Sequence, residues 1–427
     1  MPVLVAVGII SAPEFIERRS ASRHSWLRRI GQSPIVAKFV IRTLGAPPAI
    51  AKLLALEQAA HGDMLQVKVP WDAGRLRGPV LCVAAWLAHV THTISSARFV
   101  AKLDDDAFIN VPQFVPWLAE VARAVPAPER VYLGPMSWFH WQPLIFERTG
   151  FGWSYATSWL QGQLCRNETA AEERCRWRGC GACVGPFPFA SGYLTVLSAQ
   201  LAAHLTADAT LSDDVQRLAQ AKELANGAGG VAHRVMEDVW LGSVIYRRPP
   251  EGPISYVALS EADKVLISDG FGLRVLPSSL VVHVRYLPGG QQTIERFLAV
   301  DAFLREAGCQ EPLTLTCRAG CRGFFDDADD APPRKLRSSA VQARQLWLQR
   351  IGNASFCSGG QREAAYCRTR PTRARRCEGV PHDLLLNSST RWVSADVVER
   401  ARAVQHATSR LRQQAIAEAE VDGEGTG

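Results

Sequence analysis

Residues Ala97–Asn110, ARFVAKLDDDAFIN, run from an apolar segment into three consecutive aspartates, Asp104, Asp105 and Asp106, and straight on into a second apolar segment. The first segment is rich in β-forming and apolar residues, so the triplet is expected just beyond the end of a buried strand. Three carboxylates there repel one another. Either they lie in a solvated turn, or a divalent cation offsets them, since hard oxygen donors suit magnesium, calcium or manganese.

Reading upstream from the triplet, short β-rich runs alternate with helical patterns. VLVAVGII reads as a first strand, and the segment FIERRSASRHSWLRRI has helical spacing. IVAKFVIRT is strand, PAIAKLLALEQAAHG helix, DMLQVKV strand, and VLCVAAWLAHVTHTI a buried helix, which makes RFVAKL the fourth strand. Such alternation predicts an α/β domain with a mostly parallel sheet flanked by helices. Open sheets of this kind bind ligands beyond the carboxyl ends of their strands, and the triplet is expected at that edge.

Downstream, PQFVPWLAEVARAV reads as helix and RVYLG as strand, followed by an insertion rich in Trp, Gly and Cys over about residues 136–184. Its aromatics suit either stacking on sugar rings or a disulfide-stapled loop core. PFPFASGYLTVLSAQLAAHL gives a turn, a strand and a helix starting near Ser198. AKELANGAGGVAH reads as a polar linker, and then Glu237 and Asp238 open an apolar helix. Acidic residues stabilise a helix N-terminus through its dipole, which is one account of the pair; a role in a cleft is the other.

The chain is long enough, at 427 residues with 47% apolar types, to bury a full-sized core and more than one domain. Nothing in it is long and apolar enough to be a transmembrane helix, and its apolar start reads as a strand without basic flank or cleavage site. Eleven cysteines, most of them clustered, point to an oxidising compartment. Cys165, Cys175, Cys180 and Cys183 match a zinc ligand count but are read as disulfide cysteines; Cys309, Cys317 and Cys321 form a second group and Cys357, Cys367 and Cys377 a third. Cys82, inside an apolar helical pattern, is the expected free thiol. Sequons at Asn167, Asn353 and Asn387 agree with a secretory lumen. The net charge of +7 is concentrated in residues 334–376, where eleven Arg/Lys face the single acid Glu363. Such a run is read as a solvated face, and no nucleic-acid partner is expected.

Six of these pieces resemble, in order, segments of the β-1,3-galactosyltransferase and β-1,3-N-acetylglucosaminyltransferase group, glycosyltransferase family 31: RRSASRHSW, FVIRTLG, LEQAAHGDML, FVAKLDDDAFIN, FPFASGYLTVLS and MEDVWLG. The likeness covers roughly the first 300 residues. It implies a GT-A type, Rossmann-like α/β fold, a UDP-sugar donor, a manganese ion, a glycan or glycoprotein acceptor, and inversion at the anomeric carbon with transfer of galactose or an N-acetylhexosamine in β-1,3 linkage. By this resemblance Asp106 and Asp104 hold the metal with His283, from SSLVVHV, as a further ligand. Asp104 and Asp105 also face the donor, and Arg23 and Arg19 belong to the nucleotide pocket. Asp238 is the expected general base, with Glu237 the alternative that spacing does not separate. The resemblance also implies the Golgi lumen or membrane.

The chain departs from the family at WDAGRLRGPVLC, which keeps Asp72 and Leu76 but lacks the family's tyrosine and a clear lysine, and in the aromatic insertion. Donor choice and acceptor choice are the properties these changes touch. A catalytically silent glycan- or protein-binding member of the same fold is therefore the alternative, and a two-carboxylate glycoside hydrolase a third. The expected organisation is a glycosyltransferase domain over 1–308, a Cys-bearing linker over 309–340 with a solvated acidic cluster at Asp326–Asp330, and a basic, mainly helical extension over 341–427 ending in a disordered tail. In its final helix Val397, Ala401, Val404 and Leu411 form a stripe expected to dock on the protein.

Overall fold

The computed structural model describes residues 2–139, 187–190, 192–220, 237–259, 264–266, 273–275, 279–284, 290–307, 313–319, 365–371, 384–386 and 394–424. The three sequons, Cys165, Cys175, Cys180, Cys183, the acidic cluster at Asp326–Asp330, the AKELANGAGGVAH linker and nearly all of the aromatic insertion lie outside these residues.

The first half follows the alternation read above: β1 (Val5–Ser11), α1 (Ile16–His24), a 3-10 segment (Trp26–Gln32), β2 (Ile35–Leu44), α2 (Pro48–His61), β3 (Met64–Pro70), α3 (Gly74–Thr93), β4 (Phe99–Asp104), β5 (Ala107–Ile109), α4 (Val111–Ala124) and β6 (Val131–Gly134). Next come β7 (Met136–Phe139), β8 (Phe187–Ala190), β9 (Leu194–Ser198), α5 (Ala199–Ala207), α6 (Ala209–Gln220) and α7 (Glu237–Arg247). Then follow β10 (Ser255–Ala258), β11 (Lys264–Leu266), β12 (Leu273–Val275), β13 (Val281–His283), α8 (Gly290–Ala307), β14 (Leu313–Ala319), β15 (Ala365–Pro371), β16 (Leu384–Leu386) and α9 (Ala395–Glu424). Helix α5 starts where the sequence suggested, and Ser198 caps it, its hydroxyl accepting from the Leu201 amide.

Nine strands form the main sheet in the order β14-β15-β10-β6-β9-β4-β1-β2-β3. β1 pairs in parallel with both β2 and β4, and β10 with both β6 and β15, while β9 runs antiparallel between β4 and β6. Helices cover both faces. Val5, Val7, Phe39 and Phe99 pack towards Phe114 of α4, Phe297 of α8 and Val404 of α9; Ala6, Val40 and Val100 pack towards Trp86 of α3, Leu201 of α5 and Trp240 of α7. Gly8 in the middle of β1 is required by this second face: a Cβ there would meet the Trp86 ring at 2.5 Å.

The sheet crosses the boundary expected near residue 308. β15 joins β10 in parallel, and β14 pairs antiparallel with β15, with Cys317 opposite Cys367 and bonded to it. The stretch read as a linker thus contains a strand, and the extension contributes strands as well as its long helix. These short segments carry no periodicity that assigns them to a sheet, and β15 pairs with a strand more than a hundred residues away; the disulfide joins two cysteine groups that read as separate. The final helix docks as expected: Val397, Ala401 and Val404 are buried in the core. Among the described residues Cys82 is the free thiol, and burial pushes it up to about 12.

Candidate functional site

Asp104 ends β4, and Asp105 and Asp106 form the turn into β5. Chain-distant segments reach this turn through strand pairing. β13 runs antiparallel to β5, placing His283 opposite Ala107, and the Val284 amide donates to the Asp106 carbonyl at 2.8 Å. β9 runs antiparallel to β4 and sets Leu194 opposite Leu103, so the Gly192–Tyr193 turn lies against Asp104, whose amide donates to the Tyr193 carbonyl. α7 brings Glu237 and Asp238 in its first turn. Gly242 lets that helix approach β8, since a Cβ there would meet Phe189 Cβ at 2.6 Å and the Pro188 carbonyl at 2.9 Å.

The ligand atoms of Asp104, Asp106 and His283 lie within 4.8 Å of one another. His283 Nε2 is 3.0 Å from Asp106 Oδ1, and the Tyr193 ring stacks on the imidazole at 5.0 Å with an interplanar angle of 8°. Buried His283 Nδ1 has no hydrogen-bond partner among the described residues. Two carboxylates and one imidazole that converge in this way fit a divalent cation in donor type and in reach. Burial opposes the charge on both members of the His283–Asp106 pair, but their contact outweighs it, holding Asp106 below the usual carboxylate range and His283 above the usual imidazole range.

Among the described residues around this trio negative charge is in excess. Asp105 is buried; Arg18 Nη1 donates to its Oδ1 at 2.6 Å and the Ser11 hydroxyl to its Oδ2 at 2.7 Å. Arg18 also lies 3.8 Å from Asp106 and over the Phe15 ring. Lys102, two residues before Asp104 and on the same face of β4, is 5% exposed. Its ammonium contacts Asp104 Oδ1 at 2.6 Å, Glu237 Oε1 at 2.5 Å and the Gly192 carbonyl. Burial lowers the Lys102 pKa, but Asp104 and Glu237 overcome this and keep it above the ordinary lysine range.

Asp238 is 3% exposed and fixed by backbone: Oδ1 accepts from the Val239 amide at 2.7 Å and Oδ2 from the Gly192 amide at 2.9 Å. Burial, and then Glu237, push its carboxyl up to about 7. Burial also raises Asp104, to about 6, with Glu237 and Asp106 adding to it against Lys102. Asp105 is raised by burial and by Asp106 against Arg18. A Cβ placed on Gly192 would lie 3.6 Å from Asp104 Oδ2, 3.7 Å from Asp238 Oδ2 and 4.0 Å from Glu237 Oε1, so all three carboxylates gather round one glycine.

The structure thus brings together Asp104, Asp105, Asp106, Glu237, Asp238 and His283. It keeps Arg19 and Arg23 apart from them. Arg19 is wholly buried and donates to both Glu57 oxygens, to Ser11 Oγ and to the carbonyls of Ala12 and Pro13. Arg23, in the last turn of α1, pairs with Glu57 and with both oxygens of Asp63, and with Ile9, Phe39 and Asp63 it lines a separate cavity of about 250 Å³. Among the described residues Arg18 and Lys102 are the arginine and lysine that meet the triplet, and sequence reading gave neither a role there. Lys102 had a signal: a lysine inside an otherwise apolar strand must find counter-charge.

Residues 17–216 match the galactosyltransferase family profile. Beta-1,3-galactosyltransferase 6 of Mus musculus is 36% identical over 134 residues, 30% of this chain and 39% of that protein. The acetylgalactosaminyl-O-glycosyl-glycoprotein beta-1,3-N-acetylglucosaminyltransferase of Homo sapiens is 30% identical over 141 residues, 31% of this chain and 35% of that protein. The chain therefore spans well under half the length of these relatives. Among solved structures, the galactosyltransferase LgtC in complex with donor and acceptor sugar analogs superposes with a TM-score of 0.34 and 9% identity, covering 68% of this chain and 95% of that one, a correspondence too loose to argue from. Residues 17–216 thus resemble the galactosyltransferase family, and five of the six sequence segments fall within that stretch, MEDVWLG lying beyond it.

Proposed function

We propose that the protein is an inverting hexosyltransferase of the GT-A type that moves galactose or an N-acetylhexosamine from a UDP-sugar to a hydroxyl of a glycan or glycoprotein, forming a β-1,3 linkage, in the Golgi lumen or at its membrane. The observation that carries the reading is the convergence of Asp104, Asp106 and His283 beside a buried carboxylate, Asp238, whose pKa of about 7 suits a general base. The Cys317–Cys367 bond fits an oxidising lumen.

In this mechanism Asp238 takes the proton of the acceptor hydroxyl as the oxygen bonds to the anomeric carbon and the bond from that carbon to the diphosphate oxygen breaks. One displacement inverts the centre and releases UDP. The amides of Val239 and Gly192 hold both Asp238 oxygens, so the base keeps its direction while it gains the proton. Asp104, Asp106 and His283 would hold a manganese ion, which when bound neutralises charge on the leaving diphosphate. Lys102 ties Asp104 to Glu237 and keeps the strand end and the helix start together.

A donor screen that reads release of the nucleoside diphosphate tests this reading, with and without Mn2+. Turnover should require the ion, and Asp106→Ala should abolish it together with Mn2+ binding. Turnover that survives a chelator, or an Asp106→Ala variant as active as the wild type, would sink it.

A further inference from the structure

Helix α9 lies far beyond the stretch that matches the family profile, yet it addresses the segment that grips the triplet. Its inward face repeats at Val397, Ala401, Val404, Thr408, the partly buried Leu411 and Ala415, alternating steps of four and three residues, the spacing of a helix seam. Towards the C-terminal end this seam meets α1. Thr408 Oγ1 donates to Ser20 Oγ at 3.2 Å in a buried contact, and Ala415 packs with Ile16 and Leu53.

Beside the seam, Arg412 makes a two-pronged ion pair with Glu17, Nη1 to Oε1 at 2.7 Å and Nη2 to Oε2 at 2.8 Å, and Nη2 also donates to the Glu14 carbonyl at 2.8 Å. A planar guanidinium held at three points fixes orientation as well as distance. Residues 14–17 are therefore pinned from outside. The next residue is Arg18, which from the inner side holds Asp105 at 2.6 Å and stands 3.8 Å from Asp106.

We infer that Arg412 is a positioning residue for the candidate site: by clamping Glu17 and the Glu14 carbonyl it sets the first turn of α1, so that Arg18 meets Asp105 and Asp106 and tempers the charge of the triplet. The inference rests on the reading of Asp104, Asp106 and His283 as a cation site. On it, α9 completes the cleft without entering it.

The test uses the full chain and Mn2+ alone as probe. Arg18→Ala and Arg412→Ala should both change the Kd for Mn2+ in the same direction, Arg412→Ala by about threefold, the size a partly exposed pair can transmit. The double variant should match Arg18→Ala alone, because Arg412 acts through it. Arg412→Lys, which restores charge but not the fork, should recover only part of the change, and Lys52→Ala, which removes a different contact of the same helix at Glu418, should leave the Kd alone. Hydrogen exchange supplies the readout that does not depend on the ion: Arg412→Ala should speed exchange in residues 14–19 and 104–106. Multiplying effects of Arg18→Ala and Arg412→Ala, or unchanged exchange in both segments, would overturn the inference. Wild type that binds no Mn2+ would defeat the cation-site reading instead, with exchange still deciding the clamp.

Discussion

Two groups of buried charge share helix α1, and burial acts on both with opposite outcomes. In the first, Arg19 and Arg23 face Glu57 and Asp63, two cations to two anions. Burial alone would raise Glu57, but Arg19 and then Arg23 overcome it and hold the carboxyl below its ordinary range. In the second, Asp104, Asp105, Asp106, Glu237 and Asp238 face the permanent cations Arg18 and Lys102 and the titratable His283. There burial first, and then the neighbouring carboxylates, raise Asp104, Asp105 and Asp238. A balanced cluster is a structural element. Among the described residues the second cluster holds more acids than cations, and perturbed carboxyls of this kind gather at functional sites.

The contrast breaks first at Asp238. Asp238→Asn removes the base with little change of shape, and transfer should fall about 10³-fold while donor binding is kept. The same variant turns an amide NH2 towards one of the two backbone N–H groups that hold Asp238, so it should also lower the midpoint of chemical denaturation, a loss of about 1–3 kcal/mol. Normal turnover by Asp238→Asn would move the base to Glu237. At Glu57 the cost falls on the fold: Glu57→Gln leaves Arg19 buried without its counter-charge and should cost about 3–5 kcal/mol in chemical denaturation. An unchanged midpoint would show that the balanced cluster contributes nothing to the fold.

Titration sharpens the comparison. With Asp238 raised to about 7, kcat/KM should climb with pH, about tenfold per unit well below that value, and level off above it. Because the folded state binds this proton more tightly than the unfolded chain does, the Asp238 contribution to stability declines as pH rises from the ordinary carboxylate pKa, about 4, to about 7. Glu57 runs the other way: its contribution is present above the ordinary carboxylate pKa and is lost as pH falls through its depressed one. A pH profile without an inflection in the neutral range would break the link between the perturbed carboxyls and function. Least of all is expected from Glu120→Ala, since the Arg123–Glu120 pair is balanced but exposed, and the midpoint should not move measurably.

Much of this was legible in the residues. Periodicity located the first four strands and their helices because each run is local, and the carboxyl-edge position of the triplet followed from their order. His283 and the Glu237–Asp238 pair came from the family likeness; only the pairing of β13 with β5, and the approach that Gly242 allows α7, explain physically why they meet the triplet. Arg19 and Arg23 were expected at the donor, and the structure pairs them with Glu57 and Asp63, whereas Arg18 reaches Asp105 and Asp106. Neighbouring residues on a helix point about 100° apart, a difference that composition and spacing near a helix start do not resolve. The strand β15 and the Cys317–Cys367 bond were hidden for another reason, since both depend on pairing across long separations.

Gly192 donates its amide to Asp238 and offers its carbonyl to Lys102, so one peptide unit on each side of it supplies the hub of the cleft. A determinant made of main chain is invisible to alanine scanning. Gly192→Ala keeps both groups and meets the surrounding oxygens at 3.6–4.0 Å, ordinary contact distances. Proline at the same position would delete the N–H that Asp238 needs. A mutational map of this protein built from side-chain truncations would therefore leave a blank at the centre of its cleft, and backbone-altering substitutions are the ones that would fill it.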